Sequence, residues 1–148
     1  MFRESEKDRV NKLNACLAKI LSGMKPPEDL TVSQWADKNR RLTSESSAEV
    51  GKWRTSRTPY MFDILDSFTD PLIEHIVVVA ASQVGKSETI NNMVGYSIDQ
   101  DPGPILLIQP TIDDVKRYSE MRIAPMIRET RCLKRKVADP KSRDAANT

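Results

Sequence analysis

Ile76-Val77-Val78-Val79-Ala80-Ala81-Ser82-Gln83-Val84-Gly85-Lys86-Ser87 decides how this chain is read. Its first four residues are continuous β-branched hydrophobicity without alternation, the pattern of a strand covered on both faces, as in a parallel sheet. The next eight match the phosphate-loop pattern G-x-x-x-x-G-K-[ST] at every defined position but the first, where Ala80 replaces glycine. Downstream, Ile90, Met93, Val94 and Ile98 recur on one predicted helical face until Asp101-Pro102-Gly103 ends the run. Strand, loop and helix in that order are the context that chance matches to the pattern lack.

Each fixed residue of the loop has a chemical task. Gly85 has no side chain to block the backbone, so consecutive N–H groups can face phosphate oxygens at the positive end of the following helix. Lys86 brings a full charge to the β and γ phosphates, and is the catalytic cation of the set. The Ser87 hydroxyl can complete the shell of a Mg²⁺ bridging those phosphates. The expected ligands are therefore ATP and Mg²⁺. Ala81, Ser82, Gln83, Val84, Gly85, Lys86, Ser87 and Glu88 form the cradle, with Ser87 as the metal ligand.

Working outward, Ile105-Leu106-Leu107-Ile108 reads as a second buried strand, which gives a βαβ unit with a right-handed crossover. The expected fold class is α/β, part of a RecA-like P-loop NTPase with a parallel sheet and flanking helices. Upstream, residues 4–22 lack Pro and Gly, and Val10, Leu13, Leu17, Ile20 and Leu21 predict one amphipathic helix, ended by Gly23 and a Pro26-Pro27 hinge. Such a helix needs something to pack against. Ser33 is a candidate cap for a short helix through Asn39; residues 43–58 read as a polar loop; Pro59 suits the first turn of a helix carrying Met61, Ile64, Leu65 and Phe68. Thr111 is a plausible cap for a further helix, which Pro125 either kinks or follows with a separate turn. The tail 138–148 has no apolar side chain larger than alanine and is expected to fray. The chain thus divides into 1–30, a docking helix with its hinge, and 31–148, the βαβ-bearing domain.

With 39% hydrophobic and 30% charged residues, the 148-residue chain has the balance of one globular domain. Cys16 and Cys132 form no metal-ligand or disulfide spacing, which fits a reducing cytosol. The longest apolar run, Ile76 to Ala81, is far too short to cross a bilayer, so neither export nor membrane embedding is expected. Net charge is only +2, yet Lys38, Arg40, Arg41, Lys52, Arg54 and Arg57 gather in one region, and Arg131, Lys134, Arg135, Lys136, Lys141 and Arg143 in another. These clusters permit an anionic polymer as partner and equally suit a solvated surface. Trp35 and Trp53 read as packing anchors rather than base-stacking platforms, and His75 as a surface or structural residue rather than a catalyst. Hydrolysis would need an acidic pair closing another strand. Asp99, Asp101, Asp113 and Asp114 all fall in turns or helix starts, so turnover by this chain alone is expected to be weak or absent.

Several stretches resemble the large subunits of lambda-like phage terminases, the GpA family of DNA-packaging ATPases. The resemblance covers residues 31–148. It rests on Thr31-Val32-Ser33-Gln34-Trp35-Ala36-Asp37, Gly51-Lys52-Trp53-Arg54-Thr55, Arg57-Thr58-Pro59-Tyr60, the phosphate loop, Asp101-Pro102-Gly103-Pro104, Gln109-Pro110-Thr111 and Arg122-Ile123-Ala124-Pro125-Met126-Ile127, together with the end of the chain. It implies an ATPase domain with a central parallel sheet and a nuclease domain after it. The partners it implies are double-stranded DNA, a small subunit that finds the packaging site, and a portal ring on the procapsid, in the cytoplasm of the host cell. It also implies that Tyr60 contacts adenine, beside the alternative of helix packing, and that Gln109, Pro110 and Thr111 touch the DNA backbone. Many members carry an arginine inside the loop where Ser82 and Gln83 stand here, so a charge-stabilising arginine must come from elsewhere or be absent. The chain is expected to end before the acidic strand, as a truncated product, an expression fragment or a prophage remnant. Its unpaired strands should then favour self-association. Two other readings stay open: a superfamily 2 helicase-like translocase, and an inactive module that binds the small subunit through residues 4–22.

Overall fold

The computed structural model describes residues 3–23, 28–45 and 49–137. Both the Pro26-Pro27 hinge and the 138–148 tail lie outside them. The helices are α1 (Arg3–Gly23), α2 (Val32–Asn39), α3 (Phe62–Ser67), α4 (Lys86–Asp99), α5 (Ile112–Tyr118), α6 (Ala124–Glu129) and α7 (Arg131–Lys134). A π-helix, Ser119–Ile123, joins α5 to α6, and two 3₁₀ turns, Thr55–Arg57 and Pro59–Met61, lead into α3. Strands β1 (Arg41–Leu42) and β2 (Gly51–Lys52) pair antiparallel, with Arg41 opposite Lys52 and Leu42 opposite Gly51. They fall partly within a stretch read from the sequence as loop.

Local chemistry sets most of the helix starts. Thr31, not Ser33, caps α2: its hydroxyl accepts from the Gln34 N–H while the Gln34 side chain returns to the Thr31 N–H, a reciprocal capping box. The Ser33 N–H goes instead to Asp66 Oδ1 at 3.0 Å, fastening α2 to α3. Thr111 caps α5 as expected, accepting from the Asp114 N–H at 3.1 Å. Pro125 lies in the first turn of α6, so its missing N–H falls directly after the π-helix. A ring in mid-helix would oppose a carbonyl four residues back, and the wider π turn ahead of it relieves that constraint.

The core is built on two tryptophans. Trp35, Ala36, Trp53, Met126 and Leu133 are buried together, with Val94, Tyr96 and Ile127 packed at their margin. Trp35 meets Tyr96 edge to face, ring centroids 6.4 Å apart. Val32, Met61 and Leu65 fill the α2–α3 contact. Packing, as expected, is the use of both tryptophans, and His75 is exposed.

No parallel sheet forms among the described residues. Among the described residues β1 and β2 are the paired strands, while 76–79 and 105–108 are neither helical nor paired. Val77 is 86% exposed, Val79 95%, Leu106 83% and Ile108 78%. β-branched preference is a preference for a pleated, half-covered surface, and it produces a strand only where neighbours supply that surface. The same cause reverses the expectation for α4. Its buried face carries Glu88, Asn91, Asn92, Gly95 and Asp99, turned toward α2, α6 and α7. Ile90 and Met93, on the apolar face, line two open cavities of about 530 and 340 Å³, one shared with Ile76 and Val78, the other with Ile105 and Leu106. The observed architecture is therefore a mixed, mainly helical body with a two-stranded sheet.

Val10, Leu13, Leu17, Ile20 and Leu21 on α1 are all exposed. The apolar stripe expected there exists without cover from the described residues. No helix among the described residues is long and apolar enough to cross a membrane.

Candidate functional site

The loop from Ala80 to Ser87 turns sharply into α4. Gly85 stands at its N-cap with φ of +92° and Gln83 has φ of +60°. A Cβ on Gly85 would meet nothing closer than Thr58 Cγ2 at 3.9 Å, so backbone conformation, not space, is what asks for glycine there. Gly85 offers no side chain to cap α4, so the first turn of this fourteen-residue helix has no side-chain cap. That is the electrostatic setting in which an anion binds.

Lys86 folds back over the loop. Its Nζ donates to Ala80 O at 2.7 Å and Ala81 O at 2.9 Å, which holds the ammonium over the curve of the backbone. Tyr60 closes the far side, its hydroxyl donating to Val84 O at 3.1 Å while the side chain stays exposed. A cavity of about 300 Å³ beside Tyr60 is lined by Gln83, Val84, Gly85 and Glu88 and by Lys52, Arg54 and Arg57, the last paired with Glu49, which lines it too. Lys86 lines the separate cavity shared with Ile76 and Val78. The uncapped helix end and the Lys86 ammonium beside it suit a phosphate, and the basic residues of the neighbouring cavity add positive charge nearby. The site offers a metal ion the Ser87 hydroxyl, and among the described residues no cluster of three His, Cys, Asp or Glu could hold one.

Behind the cradle is a buried ionic network that the sequence did not reveal. Glu88 Oε2 accepts from Arg40 Nη2 at 2.7 Å, and its Oε1 from Arg122 Nη1 at 3.3 Å and Asn91 Nδ2 at 3.2 Å. Arg40 is 1% exposed, so it belongs to the interior and not to the surface cluster in which its neighbours placed it. Burial lowers its pKa most strongly and the Glu88 charge counters that. The Tyr118 hydroxyl donates to Asn91 Oδ1 at 2.8 Å and lies 3.3 Å from Ser87 O. Burial and then the Glu88 charge push its pKa up to about 12, so it stays a donor throughout the physiological range.

The structure thus brings Tyr60 onto the 81–88 loop, through its hydroxyl on Val84 O. Glu88 stands at that site but commits both carboxylate oxygens to the network behind it. Gln109, Pro110 and Thr111 do not join the cradle; they precede α5, whose far end carries Tyr118. A pair of residues such as Arg40 and Glu88, 48 positions apart, leaves no periodic signal in a single sequence.

Residues 47–148 match the family model described as "Phage terminase large subunit gpA, ATPase domain". The terminase large subunit of Escherichia phage lambda is 28% identical over 121 residues, 82% of this chain and 19% of that protein. The terminase large subunit of Enterobacteria phage P21 is 29% identical over 103 residues, 70% of this chain and 16% of that one. The chain therefore spans less than a fifth of the length of these relatives. No solved structure matches it.

Proposed function

We propose, because this chain belongs to the family of the phage terminase large subunit gpA ATPase domain, that it is the ATP-binding portion of a motor moving double-stranded DNA into a procapsid. The observation that carries the reading is the left-handed Gly85 at the head of α4, with Lys86 folded over the loop beside it. The cradle 81–88 holds the phosphates, Lys86 the β and γ charge, and Ser87 a phosphate-borne Mg²⁺. Tyr60, hydrogen-bonded to the loop and exposed, is the adenine contact.

The finer fold belongs to the same proposal. Residues 76–79 and 105–108, unpaired among the described residues, would become parallel strands of a P-loop sheet once neighbouring strands are supplied, and the apolar face of α4 that shares open cavities with them would then be covered. Residues 31–148 form the ATPase portion, and 1–30 a docking segment whose exposed α1 stripe receives the terminase small subunit. Gln109, Pro110 and Thr111 face the DNA backbone, and the portal completes the assembly in the host cytoplasm. No carboxylate closes either apolar segment among the described residues, so turnover by the chain alone is weak or absent.

The test is nucleotide affinity measured with and without Mg²⁺, on wild type and on Lys86→Ala. Binding should strengthen with Mg²⁺ and fall at least about tenfold in the variant, the scale of a lost charge-assisted contact. Equal affinity in the two proteins would overturn the assignment.

A further inference from the structure

The Glu88 network joins two places that the proposed function treats separately. On one side are Ser87, Glu88 and Asn91, all in the first turns of α4. On the other are Tyr118, the last residue of α5, and Arg122, in the π-helix. Between Tyr118 and Thr111 runs only α5, seven residues and about 10 Å long at helical rise, with Gln109 and Pro110 directly ahead of its cap.

The junction also has two available arrangements. Tyr118 has one hydroxyl proton and two acceptors in reach, Asn91 Oδ1 at 2.8 Å and Ser87 O at 3.3 Å. The π-helix that follows carries five residues in a wide turn, a geometry that can tighten to α by moving its neighbours past one another. Ser87 carries the hydroxyl assigned to the metal while its own carbonyl lies 3.3 Å from the Tyr118 hydroxyl, so one residue faces both the cradle and the junction. Arg122, paired with Glu88 one position further on, follows the same turn of α4.

We infer that Tyr118 is a positioning residue which, with Arg122 held on Glu88, transmits filling of the phosphate cradle through α5 to the Gln109–Thr111 segment. The inference rests on the nucleotide reading of the cradle and adds to it a named link toward the polymer-contacting side. Tyr118 itself touches neither phosphate nor metal.

Hydrogen exchange of the full chain, with and without Mg²⁺ and a non-hydrolysable ATP analogue, tests it. In wild type, protection should rise at 81–92 and also change at 109–123. In Tyr118→Phe the rise at 81–92 should persist, with affinity within about threefold, while the change at 109–123 is lost. Arg122→Gln should weaken the same response from the other side of Glu88, and Arg122→Lys should restore most of it. A Tyr118→Phe protein that still responds at 109–123, or a wild type that responds only at 81–92, overturns the link and leaves the cradle intact. A wild type with no response at 81–92 removes the cradle reading, and the link falls with it. Added duplex DNA supplies a second readout: coupling of about fivefold or more in nucleotide affinity is expected for wild type and less than about twofold for Tyr118→Phe.

Discussion

The Trp35 indole Nε1 donates to Asp99 Oδ2 across 2.8 Å, joining the capped helix α2 to the last turn of α4, 64 positions away. Asp99 also receives Lys136 Nζ at 2.9 Å and Gln100 Nε2 at 2.9 Å, so one carboxylate at the end of the cradle helix gathers three separate donors. The orientation of α4, and with it the pitch of the phosphate loop, is set partly from this far end.

Acid should release that anchor. Burial is the largest single influence on Asp99 and pushes its pKa up, but the hydrogen bonds from Lys136, Trp35 and Gln100 together bring it below the ordinary 3.8. A carboxylate depressed in the fold stabilises it above the unfolded pKa, and that stabilisation is lost as pH falls through the folded value. Asp99→Asn should therefore cost about 2 kcal/mol at neutral pH, the worth of hydrogen bonds to a charged group. Urea denaturation across pH should show the gap between variant and wild type constant above about pH 5 and closing below the ordinary aspartate pKa.

Gly95 is required by contact. A Cβ there would stand 2.5 Å from Trp35 Cη2 and 3.1 Å from Cζ3, inside a ring that is fully buried and cannot swing aside. Gly95→Ala should destabilise by about 1–3 kcal/mol despite alanine's better helix propensity, the range for overpacking a filled core. A thermal melt reads it directly, and an unchanged or raised midpoint would refute the close approach.

The two thiols should react very differently. Cys16 is exposed on α1, whereas burial and then the Asp99 charge push the Cys132 thiol up to about 11. Since the thiolate is the nucleophile, a thiol-disulfide reagent at pH 8 should modify Cys16 at least about tenfold faster. Denaturant should bring the two rates together.

Apolar exposure predicts self-association. Val77, Val79, Leu106 and Ile108 present unpaired backbone together with uncovered side chains, the combination that recruits another chain. Sedimentation should find oligomers at micromolar concentration, and Val77→Lys with Leu106→Lys should shift them toward monomer. A wild type that remains monomeric across that range would contradict this.

How much of this was legible beforehand depended on how local the cause is. The Thr111 cap, the sharp turn before Lys86 and the presence of a helix after it are set by neighbours within four residues and are legible from spacing alone, whereas which face of that helix is buried is not. Ser33 was misread as the α2 cap because two adjacent hydroxyls competed, and Gln34 at the third position selects Thr31 through the capping box. Residues 76–79 have the composition of a buried strand, yet a strand is a property of a pair, and no paired neighbour occurs among the described residues. Arg40, Tyr118 and Arg122 were invisible as site residues because they reach Glu88, Ser87 and Asn91 from distant parts of the chain.

Lys86 offers a last consequence. Its ammonium already donates two of its three protons to the carbonyls of Ala80 and Ala81, so those hydrogen bonds are made before any ligand arrives while the positive charge is not neutralised by them. A ligand can accept from the third ammonium proton directly and gains the other two only by displacing main-chain carbonyls. Opening the latch frees two backbone oxygens that need new donors, so ligand entry and loop rearrangement are one event.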